Sequence, residues 1–173
     1  RAGHDSGPLV VSAPPVFAAR WLISRLDDIH ARHADVELRL METRRLVDFT
    51  LQDVDLAIRF GSGRYPGLHV EGLMTESIAV VAAPKLATRI KNPRDLLRCT
   101  LIEDESHVSE GMFPDWKTWL TALGVAGAVQ PRSQSFGDAG LAIRAAVSGL
   151  GVMLAWSSLV ADDLVAGRLW GTA

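Results

Sequence analysis

A single cysteine, Cys99, stands among 173 residues. One thiol excludes an internal disulfide framework and fits a reducing compartment; Cys99 itself reads as a small buried hydrophobe. Neither sign of charge is in surplus: 18 Lys and Arg against 20 Asp and Glu leave a net charge of −2. Without a basic excess to neutralise phosphates, this stretch is not expected to bind DNA itself. No run approaches the roughly 18 apolar residues that span a bilayer, and no charged-then-apolar leader opens the chain. Catalytic signatures are missing as well. There is no G-x-x-x-x-G-K-[ST] loop for phosphates, and the nearest text to a G-x-S-x-G nucleophile turn, "AVSGLG", lacks the first glycine. Of the five histidines, only His30 and His33 could share a helix face, and "HARH" carries no metal-ligand signature. No metal, cofactor or catalytic residue set is therefore expected, and binding is favoured over catalysis.

What is present is an ordinary globular composition, 48% hydrophobic and 22% charged, long enough for one large domain or two small ones. Residues 1–8 are polar and glycine-containing and read as a linker. LVVS (9–12) predicts a buried strand, and Pro14 and Pro15 suit the first turn of a helix. Ala18, Trp21, Leu22, Leu26 and Ile29 then recur on one face, so the helix should run to about Ala31. VELRLM alternates as a strand, RLVDFTLQ suggests a short helix, and VDLAIRF is the next strand. This order predicts a parallel α/β unit with helices on both faces. A long strand over 68–84 should leave that unit and enter a second one. The second unit reads as strands at 99–104, 130–136 and 151–155 with helices at 115–124 and 139–148. Asp138 is placed as an N-cap and Gly149 as a helix stop. A last helix and strand should carry the chain back. Subdomain I is thus expected to comprise 9–80 plus about 160–173, and subdomain II about 81–159.

Two Rossmann-like units joined by crossing strands predict an interlobe cleft, and α/β sheets bind ligands beyond the carboxyl ends of their strands. Helices start directly after strands at 15–17 and 138–140, where free N–H groups favour anions. Arg59 ends the third strand, and glycines at 61 and 63 leave the turn beyond it open. Arg59 faces either a carboxylate ligand or, alternatively, Asp55 or solvent. Glu103, in the acidic run 103–105, either lines the cleft or is solvated.

"VSAPPVFAARWLISRLDDIHARHADVELRL", "LVDFTLQDVDLAIRFGSG", "FGDAGLAIRAAVSGLGVMLA" and "LVAGRL" follow in this order and spacing. Together they resemble the effector-binding domain of LysR-type transcriptional regulators, most closely the subgroup of glycine-cleavage and β-lactamase activators. The resemblance covers about residues 9 to 170. It implies a periplasmic-binding-protein-like fold and a small-molecule effector between the lobes. It also implies a homodimer that becomes a tetramer in the full-length protein, and a cytoplasmic, non-membrane location. Promoter DNA would be contacted only through an N-terminal winged helix-turn-helix that this chain lacks, and the family continues past "GRLW". By position, the resemblance points to Pro14, Pro15, Val16, Phe17, Arg59, Phe60, Gly61, Asp138 and Ala139 as ligand contacts, with Ser12 as a substitute for the missing hydroxyl; Glu103 joins the candidates only from its own place after a strand. Val16 and Ala139 stand where the family commonly has hydroxyl residues, which implies an effector with an apolar part. Asp48 falls at a surface position tied to activation state. A free-standing solute-binding protein of a transport system is the alternative, and a small α/β enzyme a third reading.

Overall fold

A computed structural model of the chain describes residues 7–107, 113–125 and 131–172. The expected linker at 1–8 therefore lies largely outside the described residues. The chain divides into two compact units at Thr75 and Glu76.

The first unit is built on β1 (Leu9–Ala13), β2 (Leu38–Glu42) and β3 (Leu56–Ala57), a parallel sheet in the order β2-β1-β3. Val10 to Ala13 are all buried, as a central strand demands. Pro14 turns the chain, and its carbonyl accepts the Ala18 N–H at 2.9 Å. A continuous helical run follows, with changes of pitch: α1 (Pro15–Phe17), a π segment (Ala18–Leu22), a 3-10 turn (Ile23–Arg25) and α2 (Leu26–Arg32). Of the five residues expected on its core face, Ala18 and Leu22 are buried and the other three half-buried. Trp21 instead stacks on Phe17 at 5.0 Å between ring centroids and lies under the Arg25 guanidinium at 4.3 Å.

Two expectations fail in this unit. RLVDFTLQ forms turns rather than a helix. Asp48 is the reason: its carboxylate accepts both the Thr50 N–H at 2.9 Å and the Thr50 hydroxyl at 2.6 Å, while its own N–H donates to the Gln52 side chain. A short polar side chain here offers the backbone a turn in place of a helix. Among the described residues of this unit 15–32 is the only helical run, so helices do not cover both faces. The long strand over 68–84 is the second failure. Only β4 (Ile78–Ala82) is a strand, while 68–77 has no regular structure and leaves Leu68, Val70, Leu73 and Met74 exposed. Apolar alternation makes a strand only where another backbone pairs with it, and no described strand pairs with 68–77.

The second unit holds a five-stranded sheet, β6-β5-β7-β4-β8. Its elements are β4, α3 (Pro84–Ala87), a 3-10 turn (Pro93–Arg98), β5 (Thr100–Asp104), α4 (Trp116–Ala122), β6 (Arg132–Phe136), α5 (Ala139–Val147), β7 (Val152–Trp156), α6 (Ser157–Val165) and β8 (Trp170–Thr172). β5 is parallel to β6 and β7, whereas β4 is antiparallel to β7 and β8. All five residues of β7 are buried, as befits the middle strand. One core cluster joins Leu96, Leu101, Trp116, Leu120, Val152 and Leu154. The expected return of 160–173 to the first subdomain is not what these residues do: β8 pairs with β4, and both α6 and β8 fall in the second unit. The turn between them explains it. Asp163 O accepts the Arg168 and Leu169 N–H groups, and Gly167 takes φ 68° in the same turn. This reverses the chain onto the free edge of β4.

Candidate functional site

In the first unit the carboxyl ends of β1 and β3 bring Ser12 and Arg59 together. Ser12 is fully buried. The Arg59 guanidinium donates to Ser12 O at 3.1 Å, Ile58 O at 2.6 Å, Ser12 Oγ at 2.8 Å and Arg45 O at 2.8 Å. All four terminal N–H groups are thereby used, and the buried Nε–H has no partner among the described residues. Every one of these acceptors is a neutral oxygen, so the charge has no carboxylate counterpart among the described residues. Asp55, the alternative partner, accepts the Val10 N–H at 2.9 Å instead. Burial pushes the Arg59 guanidinium below its ordinary range, with the neighbouring Tyr65 opposing the shift.

Pro14, Pro15, Val16 and Phe17 follow Ser12 directly. Val16 is buried and Phe17 occupied with Trp21. The two prolines carry no N–H, which removes two donors from this helix start. Phe60 is exposed and Gly61 lies under Tyr65, whose hydroxyl would be 2.7 Å from a Cβ added there. Asp48 sits on the exposed turn, with its carboxyl held below the usual range by the two bonds from Thr50.

In the second unit, Asp138 Oδ1 accepts the Leu141 N–H at 3.0 Å, the expected N-cap of α5, and Ala139 is buried. That carboxylate already occupies the helix start, so an anion placed there would meet like charge. Glu103 accepts the Ser133 hydroxyl at 2.5 Å across the β5–β6 pair. Three groups escaped the pattern reading. Tyr65 follows the glycines at 61 and 63, and the Pro66–Gly67 turn after it was its only signal. Arg45 contributes a backbone oxygen, which no side-chain pattern reveals. Glu76 accepts the hydroxyls of Ser157 and Ser158 and the Ser158 N–H at 3.2 Å, capping α6 from more than 80 residues away in sequence.

A family model described as the LysR substrate binding domain matches residues 2–170. The chain belongs to the LysR substrate-binding domain family. This LysR domain is 34% identical over 172 residues to the glycine cleavage system transcriptional activator of Escherichia coli strain K12, covering 98% of the chain and 54% of that protein. It is 34% identical over 163 residues to the transcriptional activator AmpR of Pseudomonas aeruginosa, covering 94% of the chain and 53% of AmpR. The chain thus spans about half the length of the curated relatives it matches. The solved effector domain of that AmpR superposes with a TM-score of 0.74 at 31% identity, covering 95% of this chain and 77% of the solved one. The LysR-type regulator CrgA of Neisseria meningitidis shares the fold, with a TM-score of 0.72 at 19% identity over 96% of this chain and 56% of the solved one. The two-subdomain, periplasmic-binding-protein-like α/β fold of these LysR effector domains is the fold of this chain. No helix among the described residues is long and apolar enough to cross a membrane, and they include no cluster of metal ligands.

Proposed function

We propose that this LysR domain senses a small anionic metabolite and, in a longer regulator, transmits its binding to promoter DNA held by a separate domain. The observation that carries the anionic part is Arg59, a half-buried cation at the carboxyl ends of parallel strands whose described bonds all go to neutral oxygens. Charge without a carboxylate partner, at the strand edge where α/β sheets take ligands, attracts an anion. Ser12, Val16, Phe17, Phe60 and Gly61 would flank that anion, and the apolar members suit an effector with an apolar part. Glu103 and Asp138, carboxylates already bonded to the Ser133 hydroxyl and the Leu141 N–H, and the buried Ala139 are left out of the anion's contacts, while Asp48 would bear on the activation state. The named relatives are transcriptional regulators, which supports regulation over transport or catalysis, and a cytoplasmic location follows from that role.

The test is a thermal-shift screen of small carboxylates, neutral analogues and amines, followed by calorimetry on the best hit. Arg59→Ala should weaken an anion by about ten- to a hundredfold. Arg59→Lys, which keeps the charge but cannot fork to four oxygens, should lose less affinity than Arg59→Ala. A preference for neutral or cationic compounds, or wild-type affinity in a folded Arg59→Ala protein, would make Arg59 a purely structural clasp.

The assembly that the family resemblance implies is a second part of the proposal, a homodimer of this domain and a tetramer of the longer protein. The helical run 15–32 supplies the surface: Ile23 is 54% exposed beside the Phe17–Trp21–Arg25 stack. Light scattering at tens of micromolar should give twice the 18.7 kDa chain mass. An Ile23→Glu variant should return it to one chain mass; a wild-type monomer would contradict the proposal.

A further inference from the structure

Tyr65 is the only tyrosine in the chain, and the fold brings it back to the Arg59 end of β3. Its loop, 61–67, is built for reversal. Gly63 and Gly67 take φ 73° and 79°, and the Leu68 N–H bonds to Tyr65 O at 3.2 Å around Pro66–Gly67. The phenol swings over Gly61, so close that a Cβ there would stand 2.7 Å from Tyr65 Oη and 3.8 Å from Cζ. The side chain is half-buried, and its hydroxyl makes no hydrogen bond among the described residues. It lies near enough to the Arg59 guanidinium to act on its charge.

Two complementary groups therefore share one strand end. One is a cation whose terminal donors are spent on neutral oxygens, so that it offers charge but few free N–H groups. The other is a phenol with an unspent donor. We infer that Tyr65 is a specificity-determining residue of this site: its hydroxyl donates to an oxygen of an anion held beside Arg59, and the glycine-flanked loop sets how large that anion is. This rests on the reading of the Arg59 end as an anion site. Arg59 supplies attraction to any anion, while the phenol selects one with an acceptor oxygen in reach of a single directed bond. Gly61 is part of the device, because any side chain there displaces the phenol.

A sample labelled on tyrosine rings gives one residue's NMR signals, a direct probe of this hydroxyl's surroundings. Acetate and benzoate are titrated into it, with calorimetry in parallel. The Tyr65 signals should move saturably with at least one of the two. Tyr65→Phe, which keeps the ring, should bind that carboxylate about three- to tenfold more weakly. Gly61→Ala should shift the tyrosine signals before any anion is added and weaken binding similarly, while melting close to wild type because the ring can swing outward. Unmoved tyrosine signals, or wild-type affinity in Tyr65→Phe, overturn the inference. If calorimetry still reports carboxylate binding in that case, the anion site survives without Tyr65; if it reports none, the anionic reading falls with it.

Discussion

Gly151→Ala is expected to destabilise the second unit by about 3 kcal/mol or more, or to prevent it from folding. A methyl at this position would lie 2.2 Å from Thr100 O, 3.0 Å from the Thr100 carbonyl carbon and 3.2 Å from Ile102 Cγ1. The first two are backbone atoms of β5, so no side-chain rotation relieves the clash. Relief would require β5 and β7 to separate beside their Leu101–Val152 pair, in the middle of the sheet. Gly149, two residues earlier, is the control. It takes φ 83°, but its Cβ would meet only Ala83 Cβ at an ordinary 3.8 Å. Gly149→Ala therefore carries only the left-handed penalty, about 1–2 kcal/mol. Urea unfolding of both variants separates close approach from backbone conformation. Equal and small losses would show that the β5–β7 contact yields more easily than the geometry indicates.

Trp116→Ala should cost about 3–5 kcal/mol. The indole is 5% exposed at the start of α4 and packs into the cluster of Leu96, Leu101, Leu120, Val152 and Leu154. Its Nε1–H donates to Ile102 O at 2.9 Å, tying the helix to β5. Trp116→Phe keeps most of the apolar contact and loses the bond, so its cost should be roughly 1–2 kcal/mol. Trp119, one turn on, makes the opposite prediction. Its buried Nε1–H has no partner among the described residues. Trp119→Phe should be close to neutral, because it removes an unsatisfied donor rather than a bond. Denaturation followed by far-ultraviolet circular dichroism avoids the change in tryptophan fluorescence. A larger loss at Trp119 than at Trp116 would invert this account.

Much of this was legible beforehand, and the reasons differ by element. Asp138 announced an N-cap because a carboxylate before an apolar helical period has one local role, and it accepts the Leu141 N–H as that role requires. GVMLA read as a strand because a short apolar run just after a helix-stopping glycine is too brief for a helix of its own, and all five residues of β7 prove buried. The π and 3-10 turns inside 15–32 were not legible, since apolar spacing reports which residues face inward and not the pitch between them. The turn at Asp48 was misread because two local side-chain bonds outweigh a short helical pattern. The strand expected over 68–77 failed for the converse reason, in that pairing depends on a distant backbone.

The candidate site divides along the same line. Arg59 was visible as an anomaly, a guanidinium at the end of an apolar strand. Its partners were not, because three of its four bonds go to backbone oxygens of Ser12, Ile58 and Arg45, and every residue type has a backbone oxygen. Tyr65 needed two left-handed glycines to be folded back onto Gly61, and Glu76 needed the tertiary fold to reach Ser157 and Ser158. By itself the sequence determined the α/β class, the order of most strands and helices, the family and the position of the odd cation. The class, the element order and the cation's position depend on local periodicity, caps and composition, whereas the family rests on the resemblance of four segments in their order and spacing. The tertiary structure alone decided which edge β8 joined, where the long strand stopped and what surrounded the cation. These follow from backbone groups finding partners far along the chain, and no local pattern encodes which partner is reached first.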